Sequence, residues 1–153
     1  MENKAALTFR CSRRIVLATF KKFEEIECWK RARELTRRVY EITNRPAFAR
    51  DFGLKDQIRR ASVSVMSNIA EGYDRSGTAE FVHFLATAKG SAAEVKCQLY
   101  VAWDQGYIQE DQFIELSALA SETGSMVAGL MKYLRASGYK GTKFKTTSNS
   151  KLT

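Results

Sequence analysis

Residues 57–72 read QIRRASVSVMSNIAEG, in which two arginines lead into a run from Ala61 to Ala70 that carries no charge and is nearly all small or apolar. A surface helix of a globular protein has one apolar stripe and a charged back. At helical spacing this stretch has Leu54, Ile58, Ala61, Val65 and Ile69 on one face, and Val63, Met66 and Ala70 on another. A helix apolar on two sides has to be covered on two sides. The segment therefore predicts a helical bundle whose subunits also pack against each other.

The remaining sequence fits an all-α class. A chain of 153 residues suits one domain, and its single proline, Pro46, leaves element interiors free of the residue that breaks helices. Four helices are expected. The first runs from about Phe23 to Asn44, with Cys28, Ala32, Leu35, Val39 and Ile42 at helical spacing, and stops at Pro46. The second covers Leu54 to Glu71, with Gly72 in the left-handed C-terminal position. The third spans Thr78 to Gln105 and closes on Gly106-Tyr107-Ile108 as a Schellman-type stop; the fourth spans Gln109 to Ala136. Short connections between helices imply antiparallel neighbours, an up-down-up-down four-helix bundle. The bundle domain is placed at 23–136, between a basic N-terminal extension (1–22) and a basic flexible C-terminal tail (137–153). The third helix has a second, small-residue face, including Ala86, Gly90, Ala93 and Cys97, where another backbone can approach closely. With Arg59, Val63, Met66 and Ala70, these residues form the expected subunit interface.

The location of the net charge of +8 decides what it means. Residues 1–22 hold six Lys or Arg against one acid, and residues 135–153 hold five against none. Between them, 23–60 carry ten basic residues against seven acidic, and 61–134 carry four against nine. Basic surface of this kind attracts phosphate backbones without reading sequence. The expected nucleic-acid contacts are Lys30, Arg33, Arg37 and Arg60, with Lys140, Lys143 and Lys145 in the tail, where Tyr139 and Phe144 could stack on bases. Glu27, Glu34 and Glu41 precede Arg31, Arg38 and Arg45 by four residues, so i,i+4 pairing is expected to half neutralise those arginines and leave Lys30, Arg33 and Arg37 freer, although Arg37 can also reach Glu41. Arg59, beside the Val63–Met66–Ala70 strip, is either an anchor for an interface carboxylate or a phosphate ligand.

No catalytic constellation is legible. His83 is the only histidine, and Cys97 lies fourteen residues further along the same helix, about 21 Å away along the axis, so they form no Cys–His pair within one subunit. Glu71 and Asp74 are close in sequence, but Glu71 has Arg75 as a local partner. Metal-ligand spacing, a phosphate-binding glycine loop and a nucleophile elbow are all missing. No enzyme, cofactor or metal is expected. Three scattered cysteines, Cys11, Cys28 and Cys97, suggest neither a disulfide framework nor a zinc site and favour a reducing, cytoplasmic compartment. Arg13-Arg14 precedes too short an apolar run to be an export signal, and no run is long enough to span a membrane.

Several motifs occur in one order: FEEIECWK from Phe23, FGL from Phe52, DQIRRA from Asp56, SNIAEG from Ser67, Glu80-Phe81, AKGS from Ala88, and Gly106-Tyr107-Ile108. Together, over about residues 23–135, they resemble the bacterial four-helix-bundle proteins encoded in intervening sequences of large-subunit ribosomal RNA genes. The resemblance implies an all-α bundle assembled as a homo-oligomeric ring, a pentamer. It also implies kinship with accessory proteins of diversity-generating retroelements, which are basic pentamers that work with a reverse transcriptase and nucleic acid. RNA or DNA is then one expected partner. A scaffold role, docking on a reverse transcriptase or a ribosomal component, is the alternative. The chain departs from the family pattern at Met66, where a proline is usual, so a kink is expected to be absent or mild. It departs again at Gly77, where a capping serine is usual.

Overall fold

The structure is a computed structural model that describes residues 20–75 and 77–138. The expected N-terminal extension up to residue 19, and the tail from residue 139 with Lys140, Lys143 and Lys145, lie outside the described residues. Among those described, the chain is all-α with no strand. After a 3-10 turn at Phe23–Glu25 come α1 (Glu27–Thr43), α2 (Pro46–Ala49), α3 (Phe52–Asp74), α4 (Thr78–Asp104) and α5 (Glu110–Ala136).

The long helices fall where apolar periodicity puts them, and the differences lie at their ends. The first helix begins four residues later than expected, because Phe23–Glu25 forms a separate 3-10 turn and Ile26 is extended. Pro46 opens a helix as well as following one: it occupies the first turn of α2, where its missing N–H costs nothing. A four-residue helix is too short for periodicity to announce. Phe48 within it is fully buried and stacks on Tyr107, with ring centres 5.0 Å apart. Helix α3 starts before Leu54 because Asp51 caps it. One carboxylate oxygen accepts the Leu54 N–H at 3.0 Å, and the other accepts the Tyr107 hydroxyl at 3.1 Å.

Gly72 does not end α3. The helix continues to Asp74, and the glycines with positive φ among the described residues are Gly106 and Gly138. Gly72 instead serves close packing, since a Cβ there would lie 2.8 Å from Phe84 Cβ and from Phe81 Cδ2. Gly106 does stop α4 as expected. With φ at 73°, its N–H donates to Trp103 O while the Tyr107 N–H donates to Ala102 O, both at 2.9 Å, and Ile108 is buried beyond. With methionine at position 66, α3 is one uninterrupted helix, and Gly77 gives α4 no side-chain cap.

Helix α1 lies against α3 and α5, α3 against α4, and α4 against α5. Along each seam, rising numbers on one helix meet falling numbers on the next. Thr43 meets Arg59 where Thr36 meets Ser62; Ser91 meets Ser64 where Phe81 meets Gly72. Arg31 meets Glu122 where Arg38 meets Glu115; Ala92 meets Gly124 where Trp103 meets Phe113. The core has two parts. One contains Cys28, Ala32, Ile69, Phe81, Leu130 and Leu134; the other contains Leu35, Val39, Phe48, Ile58, Leu99 and Leu116. Phe20 and Phe23 pack on the first part, and Phe20 O accepts the Tyr73 hydroxyl at 2.7 Å. The described chain therefore begins and ends at the same end of the bundle.

Gly72→Ala tests the α3–α4 contact. Alanine is the better helix former, but the new methyl meets Phe84 Cβ, which has no flexible end to swing away. The variant is expected to lose about 1–3 kcal/mol in urea unfolding, where an open helical position would gain.

Candidate nucleic-acid interface

The buried stripe of α1 is Cys28, Ala32, Leu35, Val39 and Ile42. At 100° per residue, this sends Arg31 and Arg38 to one side and Trp29, Thr36 and Tyr40 to the other. Arg31 and Arg38 meet α5: Arg31 Nη2 lies 2.6 Å from Glu122 Oε2, and Arg38 Nη1 2.7 Å from Glu115 Oε1. Arg45 follows the same seven-residue step and donates to Gln112 Oε1 at 2.7 Å. This overturns the expectation that Glu27, Glu34 and Glu41 neutralise Arg31, Arg38 and Arg45 in i,i+4 pairs. Glu115 and Glu122, also seven apart, supply the carboxylates from the facing helix.

The α1 glutamates turn to the outer cations instead. Lys30 Nζ lies 2.7 Å from Glu27 Oε1, and Arg37 is held between Glu34 and Glu41. Only a weak contact of 3.4 Å joins Glu41 to Arg38. Two of the residues expected to be freer are thus paired, while Arg33 has no carboxylate partner among the described residues. Arg37 holds Glu34 below the usual carboxylate range, first by its hydrogen bond, and is itself raised by it. These pairs are exposed and screened, and such pairs contribute little to stability.

Lys30, Arg33 and Arg37 come together as expected, and they do so in a groove of about 730 Å³ between α1 and α3, which Trp29, Thr36, Tyr40 and Met66 also line. Arg60 is elsewhere, exposed on α3 and 2.6 Å from Asp56. Arg59 is held within its own chain: Nε donates to Thr43 Oγ1 and Nη2 to Asn44 Oδ1, both at 2.8 Å, and the guanidinium lies 4.4 Å from the Tyr40 ring centre.

The expected interface residues divide between two faces. Val63 is 39% exposed, Met66 and Ala70 are half-buried, and Met66 belongs to the α1–α3 groove. Ala86, Gly90, Ala93 and Cys97 are exposed on α4. Ala93 lines a second groove of about 400 Å³ between α4 and α5, floored by Ala92, Ala120 and Gly124 and edged by Lys89 and Lys96. Sequence reasoning missed the α1–α3 groove as a unit. Its signal was present in the spacing of Trp29, Arg33, Arg37 and Tyr40, which step along one side of a helix.

His83 is exposed and lies edge-on to Phe84, and Glu71 pairs with Arg75 at 2.7 Å. Burial pushes the Cys28 thiol up to about 12, so it stays protonated. Among the described residues no His, Cys, Asp and Glu converge as a metal site, and no helix is long and apolar enough to cross a membrane.

The Arg38–Glu115 contact makes a pH prediction. The hydrogen bond from Arg38, then its charge, lowers the Glu115 carboxyl below its ordinary 4.5. A depressed folded-state value means stabilisation that is present above pH 4.5 and lost as pH falls through the folded value. Glu115→Gln is expected to flatten this part of the acid limb in urea unfolding, losing less stability than the parent below pH 4.5.

A family model described as 23S rRNA-intervening sequence protein matches residues 24–129. No curated protein matches the chain. Among solved structures, the chain is similar to a protein of unknown function from the S23 ribosomal protein family of Bacteroides thetaiotaomicron. The two are 21% identical with a TM-score of 0.63, over 69% of this chain and 98% of that one. At that identity the likeness is one of fold.

Proposed function

The chain belongs to the 23S rRNA-intervening sequence protein family, and from that premise we propose a non-enzymatic, homo-oligomeric four-helix bundle that binds RNA or DNA through backbone charge. The up-down-up-down reading is supported by the opposite running of residue numbers along all four seams. The ring reading is supported by two unlike stripes on two faces, Val63–Met66–Ala70 and Ala86–Gly90–Ala93–Cys97. A contact between unlike patches is heterologous, and heterologous contacts give a ring when the rotation between subunits closes and an open filament when it does not.

One observation carries the nucleic-acid reading. The described chain starts and finishes on the same part of the core, so residues 1–19 and 139–153 are attached at one end of the bundle. These are the most basic parts of the sequence, with Lys140, Lys143 and Lys145 among them. In a cyclic ring every subunit presents that end on the same side, so the charge is multiplied where a phosphate backbone would lie. Lys30, Arg33 and Arg37 extend it along α1, and Arg60 contributes from α3.

A second reading, docking on a protein such as a reverse transcriptase or ribosomal component, is favoured by exposed apolar side chains at the opposite end. Tyr100 and Val101 near the end of α4, and Ile114 near the start of α5, are 49%, 42% and 59% exposed.

A salt titration of duplex DNA binding tests the first reading. The logarithm of affinity is expected to fall linearly with the logarithm of salt, by about 0.9 per phosphate neutralised, and removing residues 139–153 should make the slope shallower. Light scattering should report a mass of several subunits. No duplex binding at low salt would favour the protein-docking reading, and a monomer mass would remove the multiplied charge.

A further inference from the structure

The groove between α1 and α3 holds more than backbone charge requires. Trp29 and Tyr40 are eleven residues apart, three turns of α1, so their rings stand on one side of the helix roughly 16 Å apart along its axis. Each ring has a guanidinium over it, Arg33 at 6.0 Å from the Trp29 ring centre and Arg59 at 4.4 Å from that of Tyr40. Met66 of α3 lines the groove between them. Tyr40 is among the exposed large side chains of the described protein, at 41%. Aromatic rings interleaved with arginines in a concave, partly wet groove are a poor match to a duplex, which keeps its base faces inside the stack. They are a good match to unpaired bases, which stack on rings and on guanidinium planes alike.

We propose that the α1–α3 groove binds single-stranded nucleic acid, with unpaired bases stacking on Trp29 and Tyr40 while Arg33 and Arg37 meet the phosphates. The inference rests on the nucleic-acid reading above and specifies strand type and site. Arg33 is the one cation of α1 with no carboxylate partner among the described residues, so it meets a phosphate without first breaking an ion pair. The groove is also continuous with the basic end of the bundle. Trp29 packs on the same part of the core as Phe20 and Phe23, its ring 5.1 Å from that of Phe23. Glu24 of the same 3-10 turn lines the groove, and the exposed Lys21 and Lys22 precede it in the chain.

The test uses the full chain with an oligothymidylate and a blunt DNA duplex of equal phosphate count, at one salt concentration and then across a series. The oligothymidylate is expected to bind more tightly. Tyr40→Ala should weaken its binding about tenfold, leaving duplex affinity and the salt slope unchanged, and Tyr40→Phe should restore it. Trp29 is half-buried against Phe23, so it is followed without truncation: in a Trp103→Phe background, the oligothymidylate should quench the remaining tryptophan and the duplex should not. Equal affinity for the two probes, or Tyr40→Ala binding like the parent, overturns the inference and leaves the nucleic-acid reading standing. Binding of neither probe overturns both. A change in sedimenting mass on Tyr40→Ala, with strand preference intact, assigns the groove to a second copy of the chain and overturns the inference.

Discussion

The burial of Cys28, Ala32, Leu35, Val39 and Ile42 fixes how α1 is rotated about its own axis, and the surface features with functional meaning follow from that rotation. With this stripe inward, the glutamates of α1 lie between two rows of cations. The row of Arg31 and Arg38 meets carboxylates on α5, so the glutamates turn to Lys30 and Arg37. Arg33 is left over on the aromatic side. A different rotation would bury the arginines without partners, at the high cost of an uncompensated buried charge.

Apolar periodicity in the sequence is sufficient to place the four long helices, because burying one stripe of each is the dominant favourable term and it leaves a period of 3.6 in the residues. The ends of the helices are harder to read. Asp51 and Pro46 act through one or two hydrogen bonds and a fixed φ, which leave no periodic trace, so α2 and the first residues of α3 escape notice. Gly72 shows how one residue type carries two meanings. A glycine near a helix end suggests a left-handed cap, as Gly106 confirms, yet here the absent methyl makes room for Phe81 and Phe84 from the next helix. That requirement is tertiary and invisible locally.

The site was half legible for a related reason. Lys30, Arg33 and Arg37 share a flank by spacing alone, and the groove gathers them. Their ion pairs could not be assigned by counting four residues along α1, because the competing carboxylates, Glu115 and Glu122, lie far along the chain on α5. The i,i+4 rule describes an isolated helix. A packed helix offers each arginine a choice, and the facing helix won. Met66 illustrates the same limit, since it belongs both to the strip expected to touch another subunit and to the groove that holds the cations.

An even number of long antiparallel segments returns the polypeptide to its starting pole. Phe20 and Leu134 pack on one part of the core, while the Gly106 turn sits at the other pole. A circular permutant that joined the present termini and opened at Gly106 would retain every helix. It would, however, carry its charged appendages at the far pole if they were regrafted there. Which pole carries the basic terminal segments is thus set by connectivity, independently of how the interior is packed.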